Sequence, residues 1–185
     1  MRSPLVSVLM VCLSAPAIAA ADNGAAGVWL DVPFVKQPEN GCGAASIAMV
    51  LRYWSAHDVQ VPPDKSEPPA IQRALYSAKA KGIFASAMAR YLDNAGMQAY
   101  AFRGEWADLR HHLSLGRPLI AALKPRSGGA PLHYVVIVGL DWDRDAVFVN
   151  DPARGKLLRV ERPEFEKQWR AAGNWTLLAV PRQNK

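Results

Sequence analysis

Gln37-Pro38-Glu39-Asn40-Gly41-Cys42-Gly43-Ala44-Ala45-Ser46-Ile47-Ala48-Met49-Val50-Leu51-Arg52-Tyr53-Trp54 is the segment on which the fold of this chain turns. From Ala44 onward apolar residues fall nearly all round the helical wheel, which predicts a helix buried in the core. That helix would begin at a cysteine held between two glycines. A free thiol has a pKa of about 8.5, so only a few per cent is nucleophilic thiolate at neutral pH. The first turn of a helix presents unpaired N–H groups and the positive end of its dipole, and both favour thiolate over thiol. Gly41 and Gly43 are expected to allow a sharp turn and to leave room for a substrate carbonyl.

The remaining cysteine, Cys12, lies in a segment with Arg2, an apolar run from Leu5 to Leu13, and Ala17-Ile18-Ala19. This pattern is that of a secretory signal peptide over residues 1–19. The apolar run is too short for a membrane span, which needs about 20 residues. Val11 suits poorly the position before a lipidated Cys12. A single domain over residues 20–185 is therefore expected to be exported, periplasmic or secreted, with no stable membrane insertion after cleavage. Cys42 is then its lone cysteine. In an oxidising compartment such a residue is either a reactive thiol or a small buried hydrophobe.

Hydrophobic residues at 50% and charged residues at 21% are an ordinary globular balance. The formal charge of +6, or +5 without Arg2, is scattered and forms no basic stripe with interleaved aromatics, so no nucleic-acid partner is expected. The histidines lack metal-ligand spacing, and neither a metal nor another cofactor is implied.

Outward from the Cys42 helix, Val28 to Val35 reads as extended, with Pro33 marking an edge or bend. Val61 to Pro69 is a Pro-rich loop. Helices are expected from Ala70 to about Ala80 and from Phe84 to about Asn94, each ending near a glycine. Strand Met97 to Phe102 and helix Trp106 to Leu115 follow. Extended runs come next at Pro118 to Leu123, His133 to Leu140, Ala146 to Asn150 and Lys156 to Val160. A helix from Pro163 to about Ala171 and a strand from Trp175 to Val180 close the chain. Helices first and antiparallel strands second predict an α+β domain, an N-terminal helical half on a C-terminal sheet.

A nucleophile needs a base, an orienting group and oxyanion donors. His57 lies in a polar loop and His111 with His112 on a charged helix, whereas His133 opens the apolar run Tyr134-Val135-Val136-Ile137-Val138. If that strand pairs with the next, Asp151 comes to the same end of the sheet as His133, while alternation sends Asn150 to the opposite face. His133 as a satisfied strand residue, and Asp151 as a turn aspartate before Pro152, are the plainer readings. The Cys42 N–H offers one oxyanion donor and the Gln37 amide is a candidate second, for which a surface glutamine at a strand end is the plainer reading. The loops Val59 to Pro69 and Lys124 to Leu132 are expected to flank the groove.

Gln37, Cys42-Gly43, His133-Tyr134 and Asn150-Asp151-Pro152, in that order, resemble the bacteriocin-processing (double-glycine) cysteine peptidases, peptidase family C thirty-nine, in a stand-alone form. The resemblance runs from Val32-Pro33-Phe34 to the Phe165 and Trp169 helix. It implies a papain-like fold and a Cys-His-Asp triad of Cys42, His133 and Asp151, with Gln37 in the oxyanion hole. Gln37 precedes Cys42 by five positions where transporter-linked members use six, and Gly41 stands where they carry an acidic residue. The chain has no phosphate-loop sequence, so the double-glycine leader specificity does not carry over. The expectation is an exported thiol hydrolase of peptide or protein substrates, working beside separate export or envelope machinery. A cell-wall amidase or transpeptidase with the same triad, and a non-catalytic peptide-binding module, are the alternatives.

Overall fold

Helix α1 (Cys42–Ser55) is the pivot of the fold, and every residue from Gly43 to Leu51 is buried. A helix apolar all round has to be covered all round. A computed structural model describes residues 26–125 and 131–182. The leader expected over residues 1–19, and the Gly128-Gly129 loop, lie outside them.

Among the described residues the other elements follow in chain order. The N-terminal part holds β1 (Gly27–Trp29), a 3-10 turn (Pro63–Ser66), α2 (Pro68–Leu75), β2 (Tyr76–Ser77), β3 (Gly82–Ile83) and α3 (Ala85–Asn94). The C-terminal part holds β4 (Met97–Arg103), α4 (Trp106–Ser114), β5 (Leu119–Leu123), β6 (His133–Asp141), β7 (Ala146–Asp151), β8 (Gly155–Glu161), α5 (Arg162–Ala171) and β9 (Trp175–Pro181). The main sheet is antiparallel in the order β4-β9-β5-β6-β7-β8, and β1 adds to β6.

Strand β6 explains the layering. Tyr134, Val136 and Val138 pack with Ile47, Met49 and Leu51 of α1 on one face. Val135 and Ile137 pack with Leu109 of α4 and with Phe165 and Trp169 of α5 on the other. A strand buried on both faces reads as a continuous apolar run, as this one does. The two faces also separate neighbouring side chains on β7: Asn150 reaches the α1 side and Asp151 the α5 side, as strand alternation requires.

Two elements differ from the sequence expectation. Strand β1 ends at Trp29, the Leu30 N–H still donates to the Val138 carbonyl of β6 at 2.7 Å, and residues 31–36 run on outside the strand, consistent with Pro33 lacking a donor. Helix α2 stops at Leu75, and the chain turns through the β2–β3 hairpin with Tyr76 opposite Ile83. Ile71 and Leu75 are followed on their helix face only by Ala78, so no large apolar side chain rewards another turn.

Candidate active site

Cys42 is the first residue of α1 and is half-buried. The first helical hydrogen bond runs from the Ala45 N–H to the Gly41 carbonyl at 2.9 Å, which leaves the N–H groups of Cys42, Gly43 and Ala44 without intrahelical acceptors. No side chain caps this end and no acidic residue occupies the first turn. The positive end of the helix is therefore aimed at the sulfur without a competing carboxylate.

The flanking glycines serve differently from the expectation. Gly41 has φ −101°, which any residue adopts, and the left-handed residue of this turn is Asn40 at φ 55°. A Cβ on Gly41 would lie 2.6 Å from the Pro38 ring, so glycine is needed there for close packing. A Cβ on Gly43 would meet the Ile83 Cβ at 3.2 Å, so the space is taken by the β2–β3 hairpin and not kept for a substrate carbonyl.

His133 opens β6, and its Nε2 lies 2.7 Å from Asp151 Oδ1. Asn150 pairs with Val136, so Asp151 is one step beyond that pair and reaches diagonally to His133. Asp151 Oδ1 also accepts the Ala153 N–H at 2.9 Å. Cys42 lines the same cleft as the His133 ring and lies near enough to act on its pKa. Burial alone would lower the His133 pKa. The bonds to Asp151 and Cys42, and the negative charge of both, outweigh it and raise the pKa to about 9. For Asp151, burial pushes upward, but the His133 bond and charge, the Ala153 N–H and the Arg154 charge hold the carboxyl below its ordinary value. The Tyr134 phenol is pushed up to about 12 by burial and by the charge of Cys42, and it donates to the Ile83 carbonyl at 3.2 Å.

Gln37 lines the same cleft as Cys42 and His133. Its backbone N–H donates to the Pro152 carbonyl at 3.0 Å, and its side-chain Oε1 is buried without a hydrogen-bond partner. The structure thus brings all four expected residues to one place. The cleft, of about 510 Å³, is walled by Ile83, Phe84, Pro131 and Leu132, with Lys81 the charged residue on the hairpin side. Of the two loops expected to flank it, Lys124 to Leu132 contributes Pro125, Pro131 and Leu132, with residues 126–130 outside the description. Val59 to Pro69 does not line it: its 3-10 turn packs on α1 and α2. The wall it was expected to form is the β2–β3 hairpin. Sequence reading missed that wall; its available signal was the loss of apolar periodicity after Leu75. Among the described residues no group of His, Cys, Asp and Glu could hold a metal, and no helix is long and apolar enough to cross a membrane.

A cysteine at a helix start, facing a histidine that opens a strand of an antiparallel sheet, defines a papain-like cysteine-peptidase fold. The sequence model of the Peptidase C39-like family matches residues 29–177, and the chain belongs to that family. A search of curated proteins finds no significant match. Among solved structures, a Bacillus anthracis protein described as a C39-like peptidase is 19% identical with TM-score 0.62, covering 85% of this chain and 99% of that one. A double-glycine-motif protease from an AMS/PCAT transporter, solved with its leader peptide, is 24% identical with TM-score 0.62, covering 84% and 95%. The peptidase domain of Streptococcus ComA, a bifunctional ABC transporter of a quorum-sensing pathway, is 18% identical with TM-score 0.63, covering 80% and 98%.

Proposed function

We propose that this chain is an exported cysteine peptidase that hydrolyses peptide bonds through a thioester on Cys42. The observation that carries this reading is the 2.7 Å bond from His133 to Asp151, with His133 and Cys42 lining one cleft. His133 takes the thiol proton at Nδ1, and Asp151 fixes the ring and stabilises the imidazolium. The Cys42 thiolate attacks the scissile carbonyl carbon. The oxyanion is held by the Cys42 N–H and the Gln37 amide. As the C–N bond breaks, the imidazolium gives its proton to the leaving amine. Water, deprotonated by His133, then cleaves the thioester and the thiol is restored.

The apolar cleft walls suit apolar side chains beside the scissile bond. Export rests on the leader of residues 1–19. Expressed at full length in a bacterial host, the protein is expected outside the cytoplasm with a mass beginning at Ala20. Full-length protein confined to the cytoplasm would count against export.

The pair also sets a pH dependence. The reactive form needs protonated His133, whose pKa is about 9. For a peptide substrate, kcat/KM is expected to fall above about pH 9 as the imidazolium loses its proton. Initial rates across the pH range check this. A rate that keeps climbing through alkaline pH, as a lone titrating thiol gives, would contradict the assigned pairing.

A further inference from the structure

Asn150 is buried, 1% exposed, on the face of β7 opposite Asp151. Both ends of its carboxamide are used. Nδ2 donates to the Val32 carbonyl at 3.0 Å, and Oδ1 accepts the Leu157 N–H at 2.9 Å. Two residues on, the Pro152 carbonyl accepts the Gln37 N–H at 3.0 Å. One strand end therefore ties down the arm of residues 32–37 at both of its ends. The same strand end carries Asp151, which orients His133. The Gln37 Oε1 has no partner of its own, so no hydrogen bond to that oxygen fixes the amide, and its backbone has to.

We propose that Asn150 is a positioning residue: its Nδ2–H bond to Val32 holds the arm so that the Gln37 amide meets the developing oxyanion. This rests on the oxyanion role assigned to Gln37 above. Asn150 touches neither sulfur nor substrate, and its effect passes through residues 32–37. A donor must sit within hydrogen-bond distance of where the oxyanion will form, and a misplacement of about 1 Å can cost about 100-fold in rate.

The test is Asn150→Asp, which keeps the size and the acceptor for Leu157 but removes the donor to Val32. The expected result is a fall in kcat of about 10–100-fold with KM nearly unchanged. Alkylation of Cys42 by iodoacetamide, a reaction that forms no oxyanion, should keep its wild-type rate. Combined with Gln37→Ala, it should be no slower than Gln37→Ala alone, because both act on one donor. If the buried carboxylate prevents folding, Asn150→Ser takes its place with the same readouts. Losses that multiply in the double variant, alkylation that falls in step with kcat, or an unchanged kcat would overturn the proposal. So would a Gln37→Ala variant of full activity, which would leave the Cys42–His133 reading intact.

Discussion

Cys42→Ala is expected to lower kcat for peptide cleavage by about 10⁶, the scale on which loss of a nucleophile acts in a triad enzyme. In the proposed mechanism the sulfur is the atom that forms the thioester, and no other described side chain can replace it: Cys42 is the free cysteine of the described residues. The fold should tolerate the change. Alanine already follows at positions 44 and 45 of the same helix, and the Cys42 side chain is only half-buried. Affinity for the peptide should persist, since the cleft walls at Ile83, Phe84 and Leu132 are untouched. The measurement pairs single-turnover cleavage with binding of a labelled peptide to both proteins. Binding without cleavage in the variant supports the peptidase. Equal behaviour of the two proteins, with binding and no cleavage by either, would make the chain a peptide-binding module. The outcome separates enzyme from module where the shared fold cannot.

What the sequence disclosed, and what it hid, follows from the range of the forces involved. The α1 helix and strand β6 were legible because burial imposes a local apolar pattern, all round the helix and unbroken along the strand. The approach of Asp151 to His133 was legible because hairpin register and alternation place side chains by counting. The β2–β3 hairpin was not, because its position over Gly43 is fixed by contacts far along the chain, Tyr134 to Ile83 above all. Helix propensity in residues 76–80 says nothing of that contact. The glycines beside Cys42 show the same limit. Their presence was plain, but that Pro38 and Ile83 occupy the space at them is a tertiary fact. Asn150 was set aside by alternation, correctly for the imidazole. Its bond to Val32 spans 118 positions, a separation that no local pattern encodes.

Asp151→Asn is expected to lower kcat/KM by up to about 10⁴, the loss seen when a triad carboxylate becomes an amide. The replacement keeps the shape, and its amide oxygen can still accept the His133 Nε2–H. The negative charge is what goes. In the wild type, burial lowers the His133 pKa, and the bonds and charges of Asp151 and Cys42 raise it to about 9 against that pull. With Asp151 neutral, burial has the larger share, so the alkaline limb of the pH–rate profile moves to lower pH. Stability should follow the same sign. A folded-state pKa of about 9, above the ordinary 6.5, gives a contribution complete below about pH 6.5 and lost as pH rises through about 9. The variant should lose the part of that pH dependence due to Asp151 while keeping its fold, because the Ala153 N–H can still donate to the amide oxygen. Chemical denaturation at about pH 6 and about pH 10 measures the difference, and pH–rate profiles of both proteins measure the limb. A variant with wild-type activity and an unmoved alkaline limb would remove Asp151 from the mechanism and leave Cys42 and His133 as a dyad.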